Sequence, residues 1–265
     1  MSTTSQLALG RHHLTANRRM IVARSLASAV AGVVPVPMLD DWLSSRVRRG
    51  TIRRIAAMRG VDVDDDAVTA IAEGEESAPS WTAITRATLI YKVLSRSWRK
   101  VLITYVATNR ARHAARAYSV ATLFDHYCAR LHVGLGLDAD SGMAVRRLMD
   151  ASLDETEGGL GTAIFRRSLV SAAKASVRAP AELINLATGG RFKRLLRGGD
   201  EVVAVAEVDS AIERSMEGES GFLARAARAV EAQLSSEGNP YVDQLLTRFE
   251  QSWRERSDPG EYQDE

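Results

Sequence analysis

A single cysteine, Cys128, stands in 265 residues. No internal disulfide can brace this fold, and a reducing compartment is the economical setting. Proline is scarce at six, phenylalanine at five, and aromatic residues make up 6% of the chain. Strands draw on aromatic and β-branched residues and on frequent turn signals, so this poverty argues against a sheet protein. Lysine is nearly missing, with four Lys against 31 Arg, a ratio that reflects GC-rich coding more than chemistry. Long apolar runs are missing too. The most apolar stretch, 20–39, is interrupted by Arg24 and broken by Pro35 and Pro37, leaving an uncharged run of 15 residues from Ser25. A spanning helix needs about 20. Residues 1–19 contain no apolar segment followed by a small-residue cleavage site, so the expected location is cytoplasmic, with peripheral contact at the inner face of the plasma membrane.

What is present favours helices. Hydrophobic residues at 45% and charged residues at 26% suffice for a core, and the 39 alanines are strong helix formers. The net charge of +2 conceals strong segregation: residues 1–60 carry +8, 61–80 carry −7, 81–132 carry +8, 133–165 carry −4, 166–199 carry +7 and 200–265 carry −10. Basic blocks coincide with helix-periodic segments. Such charge solvates helix faces, or it meets anionic headgroups, nucleic acid or an acidic partner.

Along the chain, 16–33 reads as a helix that the Val34-Pro35-Val36-Pro37 step must end. Asp40 and Asp41 open a second helix that closes in basic residues and Gly60. The acidic stretch 61–80 reads as a loop and the first candidate boundary. A helical stripe covers 81–107 and either continues or restarts at Asn109 toward Leu135; a short helix spans about 142–153. Further helices are expected at 162–177, 180–189, 200–217, 220–236 and 240–255. The expectation is therefore an all-α multi-helix bundle with an N-terminal hairpin around the Pro-x-Pro bend. Its parts are a flexible N-terminus at 1–15, a helical domain at 16–155, a linker at 156–161, a second helical segment at 162–256 packed on the first, and a disordered tail at 257–265.

Few residues assemble into recognisable chemistry. Asp125, Cys128 and His132 share one face of an ideal helix, the spacing of metal ligands, but Ala121, Phe124, Leu131 and Leu135 share it too. Packing is the preferred reading, with no metal and no cofactor. Gly158-Gly159-Leu160-Gly161-Thr162, ahead of Arg166 and Arg167, is a candidate anion site at a helix N-terminus; it lacks the Gly-Lys-Ser/Thr of a phosphate-binding loop, and a linker with a capping Thr also accounts for it. His12-His13 falls in a frayed terminus. Neither a metalloprotease motif, a nucleophile elbow nor a dinucleotide fingerprint occurs, so nothing argues for an enzyme. Ser95-Arg96-Ser97-Trp98-Arg99-Lys100 mixes basic groups with an aromatic, yet no nucleic-acid-binding module is visible, and nucleic acid ranks third among partners.

The order of features in Ala29–Gly60 resembles two bacterial families, the EcsC family and the YcjF-like domain of unknown function found in or beside GTPases. A small-residue apolar helix, a proline bend followed by Asp, and the phrase Ile55-Ala56-Ala57-Met58-Arg59-Gly60 carry the resemblance, which spans about residues 22–66. Those families place an aromatic before that glycine, where this chain has Arg59. The resemblance implies a helical, membrane-proximal accessory protein with no catalytic residues to carry over.

The expected function is a non-enzymatic accessory protein that associates with an anionic lipid surface or a membrane-bound partner. Its surface would comprise Val34, Val36, Met38 and Trp42 with Arg46, Arg48, Arg49, Arg53 and Arg54, since basic groups beside an anionic surface contribute about 1 kcal/mol each. The alternative is a soluble adaptor of a GTPase or transporter that buries the hairpin in its own core.

Overall fold

The computed structural model describes residues 12–31, 39–75, 98–134, 136–156, 160–175, 210, 212–214, 222–235 and 240–257. The Pro-x-Pro bend with Val34, Val36 and Met38, the apolar stripe over 81–97 and the helix expected at 180–189 lie outside them. The described chain is all-helical apart from one minimal strand pair. Helix α1 (His12–Ala31) is followed by α2 (Leu39–Arg59), strand β1 (Asp62–Val63), α3 (Asp65–Glu73) and α4 (Trp98–His126). Helix α4 runs into a π-helical turn at Tyr127–Leu131. Strand β2 (Gly136–Leu137), α5 (Ala139–Thr156), α6 (Leu160–Ala175), α7 (Phe222–Leu234) and α8 (Tyr241–Ser257) complete it.

Two boundaries differ from the sequence reading. Helix α1 starts at His12, within the stretch expected to be flexible, because Leu14 and Asn17 are buried and hold that first turn to the bundle. The acidic stretch after Gly60 contains a helix rather than a continuous loop. Asp65 and Asp66 occupy the first turn of α3, where negative charge suits the helix dipole, and Ala67, Val68, Ile71 and Ala72 are buried. Counting net charge hid this short apolar face. At Asn109, where the sequence left a restart and a continuous rod open, α4 continues as one helix.

The strand pair is parallel, with Asp62 opposite Gly136 and Val63 opposite Leu137. It ties the end of α2 to the start of α5, and Asp64 extends it by donating its N–H to the Leu137 carbonyl at 3.0 Å. Helix α1 packs on α2 and α4, α3 on α5, α6 on α4, α7 on both α6 and α1, and α8 on α5. Ile21, Leu26, Phe124, Phe165, Val230 and Phe249 belong to one continuous core that crosses the expected boundary near residue 160. The two helical segments thus share their interior.

Candidate functional site

A cavity of about 180 Å³ opens between α1, α2, α3, α4 and α5. Arg24, Arg48, Arg112, Arg116 and Arg146 line it, together with His113 and the hydroxyl side chains Ser25, Ser28 and Thr51. Ile52, Ala72, Ala117, Val120 and Ala121 form an apolar wall. Glu73 is the one carboxylate in this lining among the described residues. Arg24, Ser25, Ser28 and Arg146 are buried, whereas Arg112, His113 and Arg116 are exposed, so the former make the floor and the latter the rim.

Neighbouring acids hold this lining in place. The Glu73 carboxylate accepts from Arg49 Nε at 2.6 Å and from the Ser45 hydroxyl, which fastens α3 to α2. Arg146 donates Nε to Asp150 Oδ2 at 2.8 Å and Nη1 to the Ile71 carbonyl at 2.5 Å. Asp150 also receives Arg116 Nη2 at 2.9 Å, so one carboxylate orients two arginines. Gly74 ends α3 with φ +69°, and a β-carbon there would stand 3.4 Å from the Arg146 guanidinium. The positive φ is what favours glycine here, since a β-carbon at that distance would make only an ordinary contact with Arg146. Ser25 Oγ is buried on the cavity floor with no hydrogen-bond partner among the described residues. A buried hydroxyl without a partner has hydrogen-bonding capacity to spare.

The arginines of α2 divide between this cavity and ion pairs. Arg48 lines the cavity and donates Nη1 to Ser44 Oγ at 3.1 Å. Arg49 pairs with Glu73, Arg53 with Asp65 at 2.7 Å, Arg54 with Glu213, and Arg59 with Asp125. Arg46 is half-buried; burial lowers its pKa, and the charges of Arg49 and Arg53 lower it further. The helix holds no acid beyond its first turn, but the acids lie on α3, on α4 and at Glu213. Trp42 is on α2, and its side chain lies outside the description. The glycine-rich candidate site is only partly assembled: Gly161 and Thr162 line a small cleft of about 30 Å³ with Arg112 and Arg116, and Gly159 lies outside the described residues. Burial of Phe165 and Leu169 turns Arg166 and Arg167 to the exposed side of α6.

Sequence reasoning missed Arg24, Arg112, Arg116 and Arg146 as a group. One signal was available, since a lone Arg24 amid an apolar helix is out of keeping with how rarely arginine is fully buried. Arg112 and Arg116, four residues apart on α4, share a helix face. Arg146 gave no signal of its own, because its convergence with the others depends on how α3 meets α5.

The Asp125, Cys128 and His132 set is taken up otherwise. Asp125 is fully buried and accepts both Arg59 Nε at 2.7 Å and Arg59 Nη2 at 2.8 Å, with Asn17 Nδ2 at 2.6 Å. The π-helical turn shifts the register after His126, so the ideal-helix projection of Cys128 and His132 fails. Burial, then the Asp125 charge, pushes the Cys128 thiol up to about 12, and His132 Nδ1 lies 3.2 Å from the Tyr127 hydroxyl. His13 is not frayed, since its Nε2 meets His126 Nδ1 at 3.1 Å.

His126 makes stability depend on pH. Burial lowers its pKa to about 4 from 6.5, with the His13 and Arg130 charges assisting and Glu250 opposing. Because the unfolded chain binds this proton more readily, the contribution is complete above pH 6.5 and is lost as pH falls through 4. Urea titrations at pH 7 and pH 5 are expected to differ by about 2 kcal/mol more for the native protein than for His126→Gln. Equal differences for the two proteins would contradict this.

Among the described residues no helix is long and apolar enough to cross a membrane. Comparison with protein-family models, with curated proteins and with solved structures finds no match.

Proposed function

We propose that the chain is a non-enzymatic helical accessory protein that binds an anion in the arginine-lined cavity and through it engages an anionic partner. The observation that carries this reading is the convergence of five arginines from α1, α2, α4 and α5 on one cavity, against Glu73 in the lining and Asp150 beside it. Guanidinium groups present planar forks that match phosphate and carboxylate oxygens, and a partly enclosed site strengthens such charge-assisted bonds. Peripheral association with an anionic membrane surface or a membrane-bound protein remains part of the proposal. The charge proposed for that contact is the cavity's; Arg49, Arg53 and Arg54 of α2 pair with acids, as Arg116 and Arg146 pair with Asp150.

Ser25→Ala tests the reading. Removing a buried, unsatisfied hydroxyl is expected to raise stability by about 1 kcal/mol, while losing a hydrogen bond to a charged ligand weakens anion binding by about 10-fold or more. Thermal melts with and without inorganic phosphate read both effects, because a ligand at about 100 times its Kd stabilises by about 2.7 kcal/mol. Arg112→Gln, on the exposed rim, should weaken binding with helicity kept. A native protein whose melting ignores phosphate at every concentration, in low salt, would sink the proposal.

A further inference from the structure

We infer that the ligand of this cavity is a phosphomonoester, a dianionic phosphate carried on a small organic group; the inference rests on the reading of the cavity as an anion site. Two features of the cavity point beyond a bare anion. The first is its size. A cavity of about 180 Å³ exceeds the roughly 150 Å³ of an engineered apolar cavity that accepts benzene, so an inorganic phosphate would leave much of it unfilled. The second is its mixed lining. Arginines and hydroxyls share the lining with the apolar side chains of Ile52, Val120 and Ala121. A ligand charged all over would leave those apolar side chains without contacts, and a purely apolar one would leave the Ser25 hydroxyl unsatisfied.

The charge selects phosphate over carboxylate. The lining arginines come from separate helices, buried Arg24 and Arg146 from α1 and α5 and exposed Arg112 from α4. A planar carboxylate takes one fork edge-on, whereas a tetrahedral phosphomonoester offers three terminal oxygens in different directions and two negative charges. The organic group then lies along the apolar wall. The same chemistry is available from a soluble phosphate ester or from the headgroup of phosphatidic acid, which is also a phosphomonoester.

Titration calorimetry on the full chain separates the possibilities, using inorganic phosphate, phenyl phosphate and benzoate. Phenyl phosphate is expected to bind at least about 10-fold more tightly than either of the others, corresponding to about 1.4 kcal/mol. Val120→Thr should narrow the gap between phenyl phosphate and inorganic phosphate without weakening the latter. Equal affinities for phenyl phosphate and inorganic phosphate would overturn the ester and leave the anion cavity standing. Benzoate matching phenyl phosphate would overturn the phosphate class. Absence of binding by all three would overturn the anion cavity itself. Sedimentation with phosphatidylcholine vesicles containing phosphatidic acid identifies the source once the ester binds: retention that phenyl phosphate competes away assigns the lipid headgroup, and no retention assigns a soluble ester.

Discussion

Replacing Arg59 by Met is expected to destabilise the protein by about 3–5 kcal/mol, the range for removing one partner of a buried ion pair. Asp125 is fully buried, and both its oxygens take Arg59 donors at 2.7 and 2.8 Å, while Asn17 supplies one further bond. Methionine keeps much of the arginine stem's volume and helix propensity but no donor, so the loss comes from the guanidinium's bonds rather than from packing. The same guanidinium also donates to the His13 carbonyl at 2.6 Å, so the variant frees the first turn of α1 as well. Arg59 itself is held protonated by its bond to Asp125, which raises its pKa against the opposing effect of burial. The double variant Arg59→Met with Asp125→Leu should recover much of the loss, because an apolar pair leaves no buried charge uncompensated. Urea unfolding of the three proteins measures it. A single variant that falls by less than 1 kcal/mol would show that Asp125 finds water or another donor.

That ion pair marks the limit of what could be read from the chain. Arg59 stood out as a departure, an arginine where the resembling families carry an aromatic, and Asp125 stood out as a carboxylate on an apolar face. Each was visible alone. Their meeting depends on the packing of α2 against α4, 66 residues apart, and local periodicity carries no information about it. The elements themselves were far more legible. Helix α2 announces its ends through Asp40, Asp41 and Gly60, and α8 through Asn239-Pro240, since caps and breakers act within a few residues. Helix α3 was hidden because the whole helix is nine residues long and its first turn is acidic, a composition shared with loops. The cavity was the least legible feature. Its arginines come from positions 24, 48, 112, 116 and 146, each of which reads locally as an ordinary helix-surface charge apart from Arg24.

Phe165→Ala carries the other large expectation, again about 3–5 kcal/mol, set by lost burial and by the cavity the smaller side chain leaves. Phe165 is fully buried on α6 and its ring meets Tyr118 of α4 with centroids 5.5 Å apart at 49°. Tilted aromatic pairs add about 0.5–1.5 kcal/mol beyond their buried area, which a double-mutant cycle with Tyr118→Ala would read as coupling. Tyr118 is itself buried, and burial pushes its phenol up to about 12, so it stays neutral and the pair does not titrate in the physiological range. The position is demanding because Gly161, one turn earlier on α6, sits against Tyr241 so closely that a β-carbon would stand 2.5 Å from the ring. With α6 seated that tightly, surrounding groups have little freedom to collapse into the space left by the phenyl ring, which places the loss toward the upper end. The variant also decides how many cooperative units the chain contains. If the segment from Leu160 onward shares its core with the first helices, Phe165→Ala shifts one unfolding transition as a whole, with the denaturant slope unchanged. A second, earlier transition, with the helices before Leu160 melting as in the native protein, would show instead that α6, α7 and α8 form a separate unit.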